Sequence, residues 1–77
     1  MKSRVIELQE KANQLLELAQ AMDKRVERAE ELIWTANNNG FDAMSDKWTR
    51  LAYTRKRASK RLWSAYLQVL TEIKLEL

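Results

Sequence analysis

The stretch "NNNGFD", Asn37 to Asp42, is the one clear break in the helical pattern of this chain, and it decides the fold. Asn and Gly tolerate the left-handed backbone conformation that ends many helices, and Gly40 is the only glycine among the 77 residues. Proline, which would break a helix elsewhere, does not occur. Asp42 is a suitable residue to cap a helix that begins here. The sequence therefore predicts two long helices joined by a turn at residues 38–41.

The segment before the turn has an unbroken heptad of apolar residues. They recur at alternating steps of three and four residues, which is the a/d stripe of a coiled coil. The stripe consists of Val5, Leu8, Ala12, Leu15, Ala19, Met22, Val26, Ala29, Ile33 and Ala36. This pattern predicts a helix over about residues 3–37, roughly 50 Å long at 1.5 Å per residue.

The segment after the turn carries a second stripe, in which Arg55 is the one charged member. The stripe reads Met44, Trp48, Leu51, Arg55, Ala58, Leu62, Ala65 and Val69, and drifts on to Ile73 and Leu77. It predicts a second helix over about residues 42–76. A short connection makes neighbouring helices antiparallel, and folding at the turn then sets most alanines opposite larger residues, as interdigitating layers require. We therefore expect an all-α protein in which residues 1–77 form a single antiparallel, coiled-coil-like helical hairpin domain.

Further apolar residues flank both stripes. Two helices can shield one stripe from each other, but they cannot cover flanks this wide. The flanking residues are Leu16, Leu18, Leu32, Trp34, Trp63, Tyr66, Leu67 and Leu70. Either the aromatic side chains simply cover the edges of the hairpin, or the residues form a protein interface. We expect the interface, in a homodimeric four-helix bundle or with helices of another protein.

Positive charge is concentrated in the second half of the chain. Residues 47–61 contain seven Lys and Arg and no acid, although the formal net charge of the chain is only +3. At 100° per residue, six residues of this segment lie away from the stripe, and they are Arg50, Tyr53, Lys56, Arg57, Lys60 and Arg61. Cations beside an aromatic ring are typical of a surface that follows a phosphate backbone. No base-reading motif accompanies them, so a solvated face, an anionic protein and a membrane surface are the alternatives.

The residue types that the chain lacks narrow its chemistry. It contains no Cys and no His, so it has no thiolate nucleophile, no usual ligands for zinc or haem, and no imidazole for acid–base catalysis. Its longest apolar runs are two or three residues, whereas a membrane span needs about 20. We expect a cytoplasmic protein that is not an enzyme and that has no cofactor, metal, small-molecule substrate or membrane span.

Two functions of different classes follow from these patterns. The first is a small protein-interaction module, such as an adaptor, inhibitor or assembly chaperone, that works through its apolar helix faces. The alternative is a nucleic-acid-binding regulator that uses the basic outer face of the second helix. A third possibility is that the hairpin is one part of a larger coiled-coil assembly.

Overall fold

The computed structural model describes residues 3–77 as two long helices. Helix α1 spans Arg4–Asn38 and helix α2 spans Asp42–Glu76. The two helices pack side by side in an antiparallel rod of 57 × 15 × 14 Å. The helical hairpin predicted from the sequence is therefore confirmed.

The turn between the helices has the hydrogen bonds of a Schellman motif. The Phe41 N–H donates to the Ala36 carbonyl at 2.9 Å, and the Gly40 N–H donates to the Asn37 carbonyl at 3.3 Å. Gly40 has a φ of +74°, and no other residue in the described part of the chain has a positive φ. The single glycine therefore lies where the backbone needs the left-handed conformation.

The N-termini of the two helices are capped differently. At α1, the Ser3 hydroxyl accepts a hydrogen bond from the Ile6 N–H at 3.2 Å. At α2, Phe41 occupies the cap position and makes no side-chain cap hydrogen bond. The expectation that Asp42 caps α2 is wrong, because Asp42 is the first residue inside the helix. There its negative charge still interacts favourably with the helix dipole.

The apolar stripe of α1 faces α2 along its whole length, as predicted. Leu8 and the alanines of the stripe at positions 12, 19, 29 and 36 are buried, and its other five members are half-buried. The strict heptad on this helix therefore identifies the packed face correctly.

The stripe of α2 is correct in one row and displaced in the other. Trp48, Arg55, Leu62 and Val69 are buried or half-buried, as predicted. The second row of the seam is formed by the residues that follow Met44, Leu51, Ala58 and Ala65, namely Ser45, Ala52, Ser59 and Tyr66. Met44 is 53% exposed, whereas Ser45 and Ser59 are buried. The predicted row therefore lies at the edge of the seam, where Leu51, Ala58 and Ala65 are half-buried.

Small side chains dominate the buried core. Leu8 and Val69 are the largest buried residues, and with Ala12 they form an apolar cluster against which Leu15 and Tyr66 pack. The other buried residues of the described chain are alanines and serines. Small residues allow the helices to approach closely, but each one removes little apolar surface from water.

Candidate interaction surfaces

The hairpin has two broad faces, one on each side of the seam. On one side, Arg4 Nη2 lies 3.6 Å from Glu72 Oε2. On the other side, Trp63 Nε1 donates a hydrogen bond to Asp23 Oδ2 at 3.0 Å. Because side-chain positions repeat every seven residues on both helices, each pair fixes which rows meet along its side of the hairpin.

We call the side of the Arg4–Glu72 pair the leucine face. It comprises Lys11, Leu18, Arg25 and Leu32 of α1 and Met44, Leu51, Ala58 and Ala65 of α2. Moving by heptads along both helices from the Arg4–Glu72 pair places Leu18 opposite Ala58 and Leu32 opposite Met44. Leu18 is 56% exposed, and Leu32 is half-buried. The two helices therefore leave an apolar strip uncovered on this face.

We call the opposite side the tryptophan face, defined by Leu16, Asp23, Glu30, Lys56, Trp63 and Leu70. The rings of Trp63 and Tyr66 meet edge to face, with centroids 5.8 Å apart and planes at 82°. Tyr66 and Leu70 also pack against the cluster that contains Leu8. These predicted interface residues therefore already have partners within the chain.

Asp23 links the two helices on the tryptophan face. Its carboxylate accepts hydrogen bonds from the Ser59 hydroxyl and, at 3.0 Å, from the Trp63 indole N–H. Ser59 is buried, and the other two residues are half-buried. The two donors are four residues apart on α2, so they lie one turn apart on the same side of the helix. A slip by one heptad would separate the carboxylate from both donors, so this contact favours the observed register. The sequence reasoning missed it.

Two predicted interface residues lie apart from the broad faces. Trp34 is 69% exposed and lies near the turn, beside the acidic residues Glu27, Glu30 and Glu31. Leu67 is 60% exposed in the second half of α2. The eight predicted interface residues therefore do not form one continuous patch, and the apolar strip of the leucine face contains only Leu18 and Leu32 of them.

The six residues of the predicted basic face are all exposed. The Arg57 guanidinium lies 5.9 Å from the centre of the Tyr53 ring. These two residues border a shallow open groove together with Lys60 and Arg61. Lys56 differs, because its Nζ lies 3.0 Å from Glu30 Oε1 on the tryptophan face.

Arg55 occupies a seam position, as the heptad predicts, and is half-buried there. Its Nη1 donates to the backbone carbonyl of Arg25 at 3.3 Å. Among residues 3–77, Arg55 has no carboxylate within 4.0 Å. The charge is therefore held at the seam by a backbone contact.

Comparisons of the chain with protein-family models, with curated proteins and with solved structures found no match. No group of three potential metal-binding side chains occurs in the part of the chain that the structure describes. Over residues 3–77, neither helix has a segment that is long and apolar enough to cross a bilayer. Function is therefore inferred from the surfaces of this chain itself.

Proposed function

We propose that this protein is a small, non-enzymatic protein-interaction module, such as an adaptor, inhibitor or assembly chaperone, that acts through its apolar helix faces. One observation carries the proposal. The seam buries mainly alanine and serine, whereas Leu18 and Met44 on the leucine face are more than half exposed.

The balance of buried area supports this proposal. A chain of this size buries only a modest part of its surface, and an alanine-rich seam makes that part smaller still. Burying apolar surface contributes about 25 cal/mol per Å², so covering the leucine face adds stability that the hairpin lacks. Added helices would complete a bundle, either a homodimeric four-helix bundle or one formed with the helices of another protein.

Sedimentation equilibrium and a pull-down from the native host test the proposal. We expect the wild-type protein to form an assembly heavier than its own 9.1 kDa or to retain a partner. The double variant Leu18→Gln/Met44→Gln should do neither and should keep its helical circular dichroism spectrum, because both side chains are exposed. Leu67→Gln is the matched control, since Leu67 is equally exposed but lies off the leucine face.

Two results would contradict the proposal. The first is a wild-type protein that stays monomeric and retains no partner. The second is an assembly that the double variant leaves intact.

The second candidate function is nucleic-acid binding by the outer face of α2. The observation that favours it is the groove lined by Tyr53, Arg57, Lys60 and Arg61, in which an aromatic ring adjoins three cations. Such a surface would contact phosphates through charge and bases through stacking. No base-reading element accompanies it, so we place this function second.

A further inference from the structure

We infer that the leucine face binds one acidic amphipathic helix of a partner protein, which lies along the groove between α1 and α2. The inference rests on the proposed interaction function and names the class of partner.

Cations outnumber acids around the apolar strip. Lys11 and Arg25 lie on the face itself. On the α2 side, Arg61 borders the depressions that expose Ala58 and Ala65. Lys47 borders a further depression with Leu51. Asp46 also borders that depression and is the one acid among its lining residues.

The rows that form and border the middle of the leucine face contain no acid. In α1 these rows are Lys11, Leu18, Arg25 and Leu32, with Gln14, Ala21, Arg28 and Thr35 outside them. In α2 they are Met44, Leu51, Ala58 and Ala65, with Lys47, Thr54, Arg61 and Gln68 outside them. An apolar strip between cations complements a helix whose apolar stripe is flanked by Glu or Asp, because each cation then meets a carboxylate at the rim.

The shape of the strip suits a helix. Ala58 and Ala65 are small and seven residues apart, so they leave two depressions at the heptad spacing of a docked helix. The row from Met44 to Ala65 is about 32 Å long at 1.5 Å per residue, which corresponds to a partner helix of about 21 residues. Large apolar side chains on that helix would fill the depressions.

The same features disfavour two other occupants. A second copy docked through this face would bring its own Lys11, Arg25, Lys47 and Arg61 against the same four cations, and like charges at an interface are unfavourable. A membrane-binding helix face usually carries aromatic residues at the interface, whereas this strip contains none.

Titration calorimetry with two designed peptides tests the inference. Both peptides are helices of about 21 residues with the same leucine stripe, flanked by Glu in one and by Lys in the other. We expect the full-length protein to bind the Glu peptide at least about tenfold more tightly, and to bind it more weakly as salt is raised from about 50 to 300 mM.

Variants of the protein locate the binding site. Lys11→Gln/Arg25→Gln/Lys47→Gln should weaken binding of the Glu peptide by about tenfold. The matched control is Lys24→Gln/Lys60→Gln/Lys74→Gln, which removes the same charge from positions outside the face and should change the affinity by less than about twofold. Leu18→Gln/Met44→Gln should abolish binding, and Leu67→Gln should preserve it.

Other results would overturn the inference, and they bear differently on the proposed function. Equal affinity for the two peptides, or no binding of the Glu peptide at about 1 mM, would show that the partner of this face is not an acidic helix. A homodimer that Leu18→Gln/Met44→Gln dissociates assigns the face to a second copy and leaves the interaction function intact. Binding to phosphatidylglycerol vesicles that the same variant abolishes assigns the face to a membrane and contradicts both. If that variant changes neither peptide binding nor assembly, both fail.

Discussion

At the scale of single residues, the carboxylate of Asp23 should contribute most to holding the helices in register. We expect Asp23→Ala to lower the free energy of unfolding by about 1–3 kcal/mol, because the buried Ser59 hydroxyl and the Trp63 indole both lose their acceptor. Urea denaturation followed by circular dichroism measures the change. Glu17→Ala, an exposed substitution on the same helix, should change it by less than about 0.5 kcal/mol. Equal stability of the two variants would mean that the Asp23 contacts are not formed in solution.

Gly40 is the other residue with a well-defined individual role. A Cβ added to Gly40 meets no atom within 4 Å, so the effect of Gly40→Ala comes from its φ of +74° and not from a clash. We expect Gly40→Ala to lower the free energy of unfolding by about 1 kcal/mol, because left-handed backbone is unfavourable for residues with a Cβ. Gly40→Asn should lose less, since Asn tolerates this conformation better. Thermal melts of both variants check the order, and an alanine variant as stable as the wild type would contradict it.

At the scale of the helices, the packed face of α1 was predictable from its sequence, whereas the packed face of α2 was predictable only in part. In α1 every position of two adjacent heptad rows is apolar, and its other apolar residues are scattered over the remaining rows, so one face is clearly the best to pack. In α2 no single pair of rows stands out, because apolar residues recur in at least four rows, and more than one adjacent pair makes a plausible seam. Hydropathy alone favours the row of Met44 and Leu51 over the row of Ser45 and Ser59, and the structure buries the serines.

Contacts between the helices decide which row of α2 is buried, because hydropathy alone does not. Ser59 can be buried because its hydroxyl donates to Asp23 across the seam. A single helix contains no information about that acceptor, which lies 36 residues away in the chain. The same displacement moves the row of Met44 to the edge of the seam, and so creates the leucine face that the sequence did not predict as a unit.

The seam position of Arg55 leads to a prediction for α2. The Arg25 carbonyl that accepts from Arg55 lies inside α1, where backbone bonding already satisfies it, so removing the guanidinium leaves no orphaned acceptor. We expect Arg55→Met to raise the free energy of unfolding by about 1 kcal/mol, because an apolar side chain of similar length replaces a half-buried charge. Urea denaturation tests this. Arg50→Met on the exposed face should stay within about 0.5 kcal/mol of the wild type. A loss of stability in Arg55→Met would instead give Arg55 a structural role.

At the scale of the whole molecule, the rod separates its charges by face. The row of α1 opposite the seam contains Glu10, Glu17 and Glu31 with one cation, Lys24, whereas the leucine face and the outer face of α2 are mainly basic. Arg61 borders both basic surfaces. An acidic helix on the leucine face and a phosphate backbone on α2 would therefore compete for Arg61. An experiment is needed that responds to only one of these two ligands.

The salt dependence of DNA binding distinguishes the nucleic-acid function from the protein-interaction function. Four cations of the outer face have no acidic partner within 4.0 Å in the described chain, namely Arg50, Arg57, Lys60 and Arg61. If they neutralised about four phosphates, log K against log salt would have a slope near −3.6 on duplex DNA. Binding through phosphates alone typically has a Kd of about 10⁻⁴–10⁻⁶ M at physiological salt, and with only four cations we expect the weak end of that range. We therefore expect no gel shift at low micromolar protein in about 150 mM salt. A shift that follows this slope, and that Arg57→Gln/Lys60→Gln/Arg61→Gln flattens without loss of helicity, would make nucleic-acid binding the function of this protein.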